Sequence, residues 1–142
     1  MIFDKETQFS DEQAITADAA STNIIDLGAT GTPYGSSVAL ERDIGKGMTV
    51  PVFTTVTEAF NNLTSIKISM QVSTNAAFSS PKEVASRTFT LAELDGGALE
   101  FPSGLIEGTD QRYVRLFYDV TGTAPTTGKI TAGVVAARQT NL

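Results

Sequence analysis

The chain has 142 residues, 41% of them hydrophobic and 18% charged, which suits one globular domain with a core of its own rather than a disordered segment. It holds no cysteine and no histidine, which removes disulfides, thiolate nucleophiles, imidazole bases and nearly every zinc, copper or haem ligand set. Sixteen acidic residues against ten basic ones leave a net charge of −6, a poor surface for a polyanion, so nucleic acid is not an expected partner. No apolar run approaches the roughly 20 residues of a membrane helix, and residues 1–6 lack the basic and apolar regions of a secretory leader. No membrane partner is expected, and the protein reads as made in a cytoplasm.

Up to Asp26 the acids are Asp4, Glu6, Asp11, Glu12, Asp18 and Asp26, six against Lys5 alone, so this segment carries −5 of the net charge. Within it, Ile2, Phe3 and Phe9 stand in polar company without periodic apolar partners. Ser10 and Gln13 have the spacing of a capping box, but no apolar helical face follows, and extended or irregular structure is expected. A solvated terminal segment is one reading. The sharper one is an arm, residues 1–20, that leaves the domain at residues 21–142 and docks on a partner. Its candidate contacts are Ile2, Phe3, Phe9, Asp11 and Glu12.

Residues 23–28 read as a short strand, and residues 29–37, with Gly31, Pro33 and Gly35, as a loop. Residues 38–47 hold a brief strand before a glycine-flanked turn. A longer strand follows over 48–57, with Met48, Val50, Val52, Thr54 and Val56 on one face. Pro51 cannot donate to a ladder, which places that strand at an edge or a bulge. After a loop at 58–65, residues 66–73 give the cleanest alternation, Ile66, Ile68, Met70 and Val72 pointing inward. A polar turn over 74–81 contains Phe78, and residues 83–91 alternate through Ala85, Arg87, Phe89 and Leu91. One helical turn is expected over 92–97, ending at Gly96-Gly97, then a weak strand over 99–106.

The last two strands, 112–120 and 129–137, bury Val114, Leu116, Tyr118 and Val120 in one case and Ile130, Ala132 and Val134 in the other. Their connector, with two glycines, a proline and four threonines, suggests a long-looped hairpin. No amphipathic helix is long enough for a βαβ crossover. Roughly eight strands with uneven connections make an all-β, jelly-roll-like sandwich the expected fold. Its core is expected to include Ile66, Ile68, Met70, Val72, Val114, Leu116, Tyr118, Ile130 and Val134.

No catalytic constellation emerges. Glu93 with Asp95, Glu107 with Asp110, and the single acids Asp43 and Asp119 fall at turns or strand ends, where carboxylates are solvated. No nucleophile elbow, phosphate loop or dinucleotide fingerprint occurs, and Gly45-Lys46-Gly47 reads as a hairpin turn. A sugar-binding face is usually built on exposed aromatic rings. Tryptophan is absent, and the tyrosines are Tyr34 in a loop, Tyr113 on an outer face and Tyr118 on a core face. Neither enzymatic activity nor a cofactor or metal is expected.

Several segments carry a resemblance through their order and spacing. They are Met1-Ile2-Phe3-Asp4, Phe9-Ser10-Asp11-Glu12-Gln13-Ala14, Asn23-Ile24-Ile25-Asp26-Leu27-Gly28, Asp43-Ile44-Gly45-Lys46-Gly47 and Val56-Thr57-Glu58-Ala59-Phe60. Further on come Gln71-Val72-Ser73, Ala76-Ala77-Phe78-Ser79-Ser80-Pro81, Arg112-Tyr113-Val114-Arg115-Leu116 and Gly128-Lys129-Ile130-Thr131-Ala132-Gly133. Over most of its length the chain resembles the jelly-roll capsid cement, or head decoration, proteins of tailed bacteriophages. The resemblance implies a non-enzymatic virion protein, assembled in the host cytoplasm, that forms a homo-oligomer (dimer or trimer). It would bind the outer surface of the major capsid protein shell and bridge neighbouring subunits. The alternative is a carbohydrate- or receptor-binding β-sandwich module of a virion.

Overall fold

The computed structural model describes residues 2–40, 49–107 and 111–138. Asp43, the turn at Gly45-Lys46-Gly47, Met48 and Asp110 lie outside the described residues. The strands are β1 (Phe3–Ala14), β2 (Ala19–Ala20), β3 (Ile25–Asp26), β4 (Val52–Glu58), β5 (Leu63–Ser73), β6 (Lys82–Thr90), β7 (Ala98–Leu99), β8 (Tyr113–Gly122) and β9 (Lys129–Val135); one helical turn, α1 (Leu91–Leu94), follows β6. They form two antiparallel sheets packed as a sandwich, one in the order β1-β9-β4-β7 and the other β2-β8-β5-β6, with β3 also paired to β8. Taking β2 and β3 as two pieces of one strand, this is the double Greek-key strand order of a jelly roll.

The alternation in β5 does what its spacing predicts: Ile66, Ile68, Met70 and Val72 are buried, and so are Val114, Leu116 and Tyr118 of the neighbouring β8. Facing them from the other sheet are Phe9, Val52, Leu99, Ile130 and Ala132. Each of the larger aliphatic and phenylalanine side chains removed from water contributes roughly 1.5–3 kcal/mol against the entropy of ordering the chain. Val134, expected in the core, is only partly buried, and Val135 is buried instead.

Three expectations change. The last two strands are not a hairpin: β8 pairs with β5, β2 and β3, while β9 lies in the opposite sheet between β1 and β4. Alternation shows which face a strand buries, not which strand lies beside it, and the connector is long enough to pass between layers. It does so closely, for Gly128 has φ +129° and a Cβ there would run into the Phe60 ring. Second, β4 is an interior strand, between β9 and β7. Pro51 precedes its first residue, so no ladder donor is lost, and the Pro51 carbonyl accepts from the Val135 N–H (3.0 Å).

Third, the expected arm at residues 1–20 is part of the sandwich. β1 runs antiparallel to β9 from Phe3↔Val135 to Ala14↔Lys129, and β2 adds to the edge of β8. The N-terminal segment thus crosses from one sheet to the other and closes both at the same side. Its apolar residues lack a visible period because β1 shifts register three times along β9, and each bulge resets the alternation. Phe9 and Ile15, fully buried, are core residues.

The remaining elements follow local chemistry. Thr90 and Glu93 form a reciprocal capping box around α1, and Gly97, at φ +78°, turns the chain out of it. β6 contains a bulge, since Met70↔Ala85 is followed by Gln71↔Glu83, and Phe89 alone of the four alternating positions is buried. Between residues 99 and 106 the only further pairing is a single bridge, Pro51↔Gly104.

Candidate docking surfaces

The N-terminal edge is built around hydrogen bonds from the returning chain. The Asp4 carboxylate accepts from the Glu6 N–H (3.1 Å) and the Asp4 carbonyl from the Thr7 hydroxyl (3.3 Å), which bows β1 away from β9 between Phe3 and Gln8. Asn23 then caps the free edge of β1: its N–H donates to the Phe9 carbonyl (2.9 Å) and its side-chain amide to the carbonyls of Gln8 (2.9 Å) and Glu6 (3.3 Å). Gln13 accepts from the Ser10 hydroxyl (2.7 Å) and the Thr22 N–H (3.0 Å), and donates to the Ala20 carbonyl (2.8 Å). Ser10 also lies 2.8 Å from the Tyr118 hydroxyl. Because Ser10 donates to Gln13, the phenol donates to Ser10, and its burial pushes its pKa above the ordinary range. Ser10 and Gln13, whose spacing suggested a helix cap, instead fasten two sheets.

This edge frames a groove of about 550 Å³, whose charged lining residues are Lys5, Glu6, Asp11 and Asp26, with Ile24 and Ile25 among the others. Asp26 is held by Arg112 through two hydrogen bonds (2.6 and 2.7 Å) and accepts from the Gly28 N–H (2.8 Å). The guanidinium first, and that N–H second, lower its pKa from 3.8 to about 2.

The five candidate contacts read from the sequence are not brought together. Ile2 is 72% exposed at the free end, and Phe3 is half-buried over Gly133, where a Cβ would fall 3.0 Å from its ring. Phe9 is wholly buried and is withdrawn as a contact. Asp11 and Glu12 are exposed, Asp11 in the groove. Glu12 is lifted outward by its φ of +45°, its N–H donating to Thr131 Oγ1 (2.9 Å).

On the outer face of the five-stranded sheet the Arg115 guanidinium sits over Phe78 (4.2 Å) and near Phe117 (5.7 Å), its Nε donating to Gln71 (2.9 Å). Lys67 and Glu83 pair at 2.9 Å beside it, and Ser69 donates to the same carboxylate. The rings there are already engaged by arginine, which leaves a less open stacking platform than sugar recognition uses. Among the described residues no three acidic side chains converge in a way that would hold a metal ion. Glu93 is engaged in its capping box and lies 3.7 Å from Arg87.

A third surface went unmarked in the sequence. Every residue from 29 to 40 is exposed, yet the segment has a shape of its own. The Ser36 N–H donates to the Pro33 carbonyl (3.0 Å) across a turn with Gly35 at φ +81°, and the Leu40 N–H donates to the Gly31 carbonyl (2.8 Å). The result is a finger with Tyr34 in its tip turn. The available signal was the absence of any charged residue from Leu27 to Leu40 in a stretch that holds four large apolar side chains, Leu27, Tyr34, Val38 and Leu40.

These are features of a β-sandwich that presents edges, a groove and a projecting loop. The family model named Bbp16 matches residues 9–137. The chain belongs to the Bbp16 family, a phage-associated family of structural proteins. No curated protein matches it.

Proposed function

We propose that the protein is a capsid cement, or decoration, protein: non-enzymatic, seated on the outer surface of the major capsid protein shell, and bridging neighbouring subunits. The observation that carries this reading is the membership of residues 9–137 in a phage-associated structural family. The geometry supports it. A bridge needs separate contact surfaces on one stiff body, and the sandwich offers an acidic edge at β1 and an uncharged finger after β3. The exposed acids Asp4, Glu6, Asp11 and Glu12 suit an outer position better than one against packaged DNA, whose phosphates would repel them. Copies meeting at symmetry axes of a shell would self-associate as a dimer or trimer, and several weak contacts would then act together.

The test is to add the purified protein to shells lacking it and measure occupancy and the temperature of shell rupture. Saturable occupancy with a raised rupture temperature is expected. Absence of binding ends the reading, and glycan binding without shell affinity would point to a receptor-binding module instead.

A further inference from the structure

We propose that the finger at residues 29–40 is the element that seats the protein on a shell subunit, its tip entering an uncharged apolar pocket on that subunit. The inference rests on the cement reading and goes beyond it by naming the contact and its chemistry.

Among the described residues five large apolar side chains are exposed, and three of them, Tyr34, Val38 and Leu40, lie on this finger; Tyr34 is as open as a free residue, at 109% of its reference area. Nothing in the core needs them there, and exposed apolar clusters mark contact sites. The finger is also pre-shaped. Besides its two backbone bonds, the Ser36 hydroxyl donates to the Val38 carbonyl (3.0 Å) and accepts from the Val38 N–H (3.1 Å). Little ordering cost therefore remains on docking. Interface centres are depleted in charge and enriched in tyrosine, and the finger has that composition while the chain around it does not.

Charge complementarity decides the occupant. The groove beside β1 on a second copy is lined by Lys5, Glu6, Asp11 and Asp26, and an uncharged finger entering it would strip water from those charges and return no partner. That groove does not suit the finger, and on the cement reading the receiving surface is an uncharged one on the shell.

The experiment compares the intact protein, the variant Tyr34→Ser/Val38→Ser/Leu40→Ser and the conservative Tyr34→Phe on shells lacking the protein. Thermal unfolding and sedimentation of each free protein are measured alongside. The triple variant should unfold at the wild-type temperature and sediment identically, yet lose at least about tenfold in shell affinity. Tyr34→Phe should keep most of the binding, and wild-type binding should change little as salt rises. Undiminished binding by the triple variant overturns the inference. So does a lowered unfolding temperature, which would make the finger part of the fold, or a change in sedimentation, which would make a second copy its occupant. Failure of wild type and variants alike to bind is a different outcome: it removes the cement reading and the inference with it.

Discussion

The strand at Phe3–Ala14 and the finger at residues 29–40 exchange the roles their sequences suggest. The first is acidic, with apolar residues strewn through it, and reads as a tether; it is structural, with Phe9 fully buried and Asn23 and Gln13 fastening its edge. The second reads as a plain connector, yet it holds Tyr34, Val38 and Leu40 in solvent on a hydrogen-bonded frame. An apolar residue without a periodic partner is thus no sign of an anchor when bulges can deliver it to a core built from strands far along the chain. Nor is a glycine- and proline-rich loop necessarily idle.

Deletion separates the two most sharply. Removing residues 2–14 strips β9 of one neighbour and the core of Phe9, and should abolish cooperative unfolding, a loss on the order of the whole 5–15 kcal/mol of a domain. Replacing residues 32–39 by an Asn-Gly turn, which the Gly31 to Leu40 hydrogen bond leaves room for, should shift denaturant stability by no more than about 1 kcal/mol. A folded truncation, or an unfolded excision, would break the comparison.

Point substitutions sharpen it. Phe9→Ala should cost about 3–5 kcal/mol in chemical denaturation, as other buried phenylalanines do; a cost near zero would return Phe9 to the list of exposed contacts. Ser10→Ala leaves the buried Tyr118 hydroxyl without its acceptor and should cost about 1–3 kcal/mol, much of it recovered in Ser10→Ala/Tyr118→Phe. Additive losses in that cycle would mean the two residues are not coupled across the sheets.

The smallest effect is electrostatic. Asp26 has a folded-state pKa near 2, below its ordinary 3.8, chiefly through Arg112. Its contribution is therefore present above the ordinary value and is lost as pH falls toward about 2. Glu58 beside Lys129, Glu83 beside Lys67 and Glu93 at its Thr90 cap are also held below their ordinary values, so unfolding temperature should fall from about pH 5 to about pH 2. Asp26→Asn should show a shallower fall. An equal slope would mean that the Arg112 pair does not persist in solution. The finger, with no charged residue, should contribute nothing to either curve.

How far the sequence could be read varies with the covalent pattern each element leaves. β5 and β8 are continuous strands, so Ile66 to Val72 and Val114 to Tyr118 declare their buried faces at once. The partner of β8 was hidden, because two strands with the same alternation pair equally well on paper, and only the sheet order shows β9 in the other layer. In β1 consecutive residues Phe9 and Ser10 are both buried, which no period of two describes. Asp11 and Glu12 lie in solvent for the simple reason that unpaired carboxylates stay there. Around Tyr34 the one mark was the lack of charge from Leu27 to Leu40, which does not tell a loop that folds back from one that stands clear.

The pairing of β1 with β9 also sets an order of events. As the chain emerges from the ribosome the first strand has no sheet to join until the last is made, and Ser10 must wait for Tyr118, 108 positions later. The four-stranded sheet then closes only once β9 has emerged, through non-local contacts of the kind that fold in milliseconds to seconds. Until that moment Phe9 and Ile15 are open to solvent and to other nascent chains. Yield in a producing cell should thus respond to how fast the stretch between β1 and β9 is synthesised, more than to the stability of the finished sandwich.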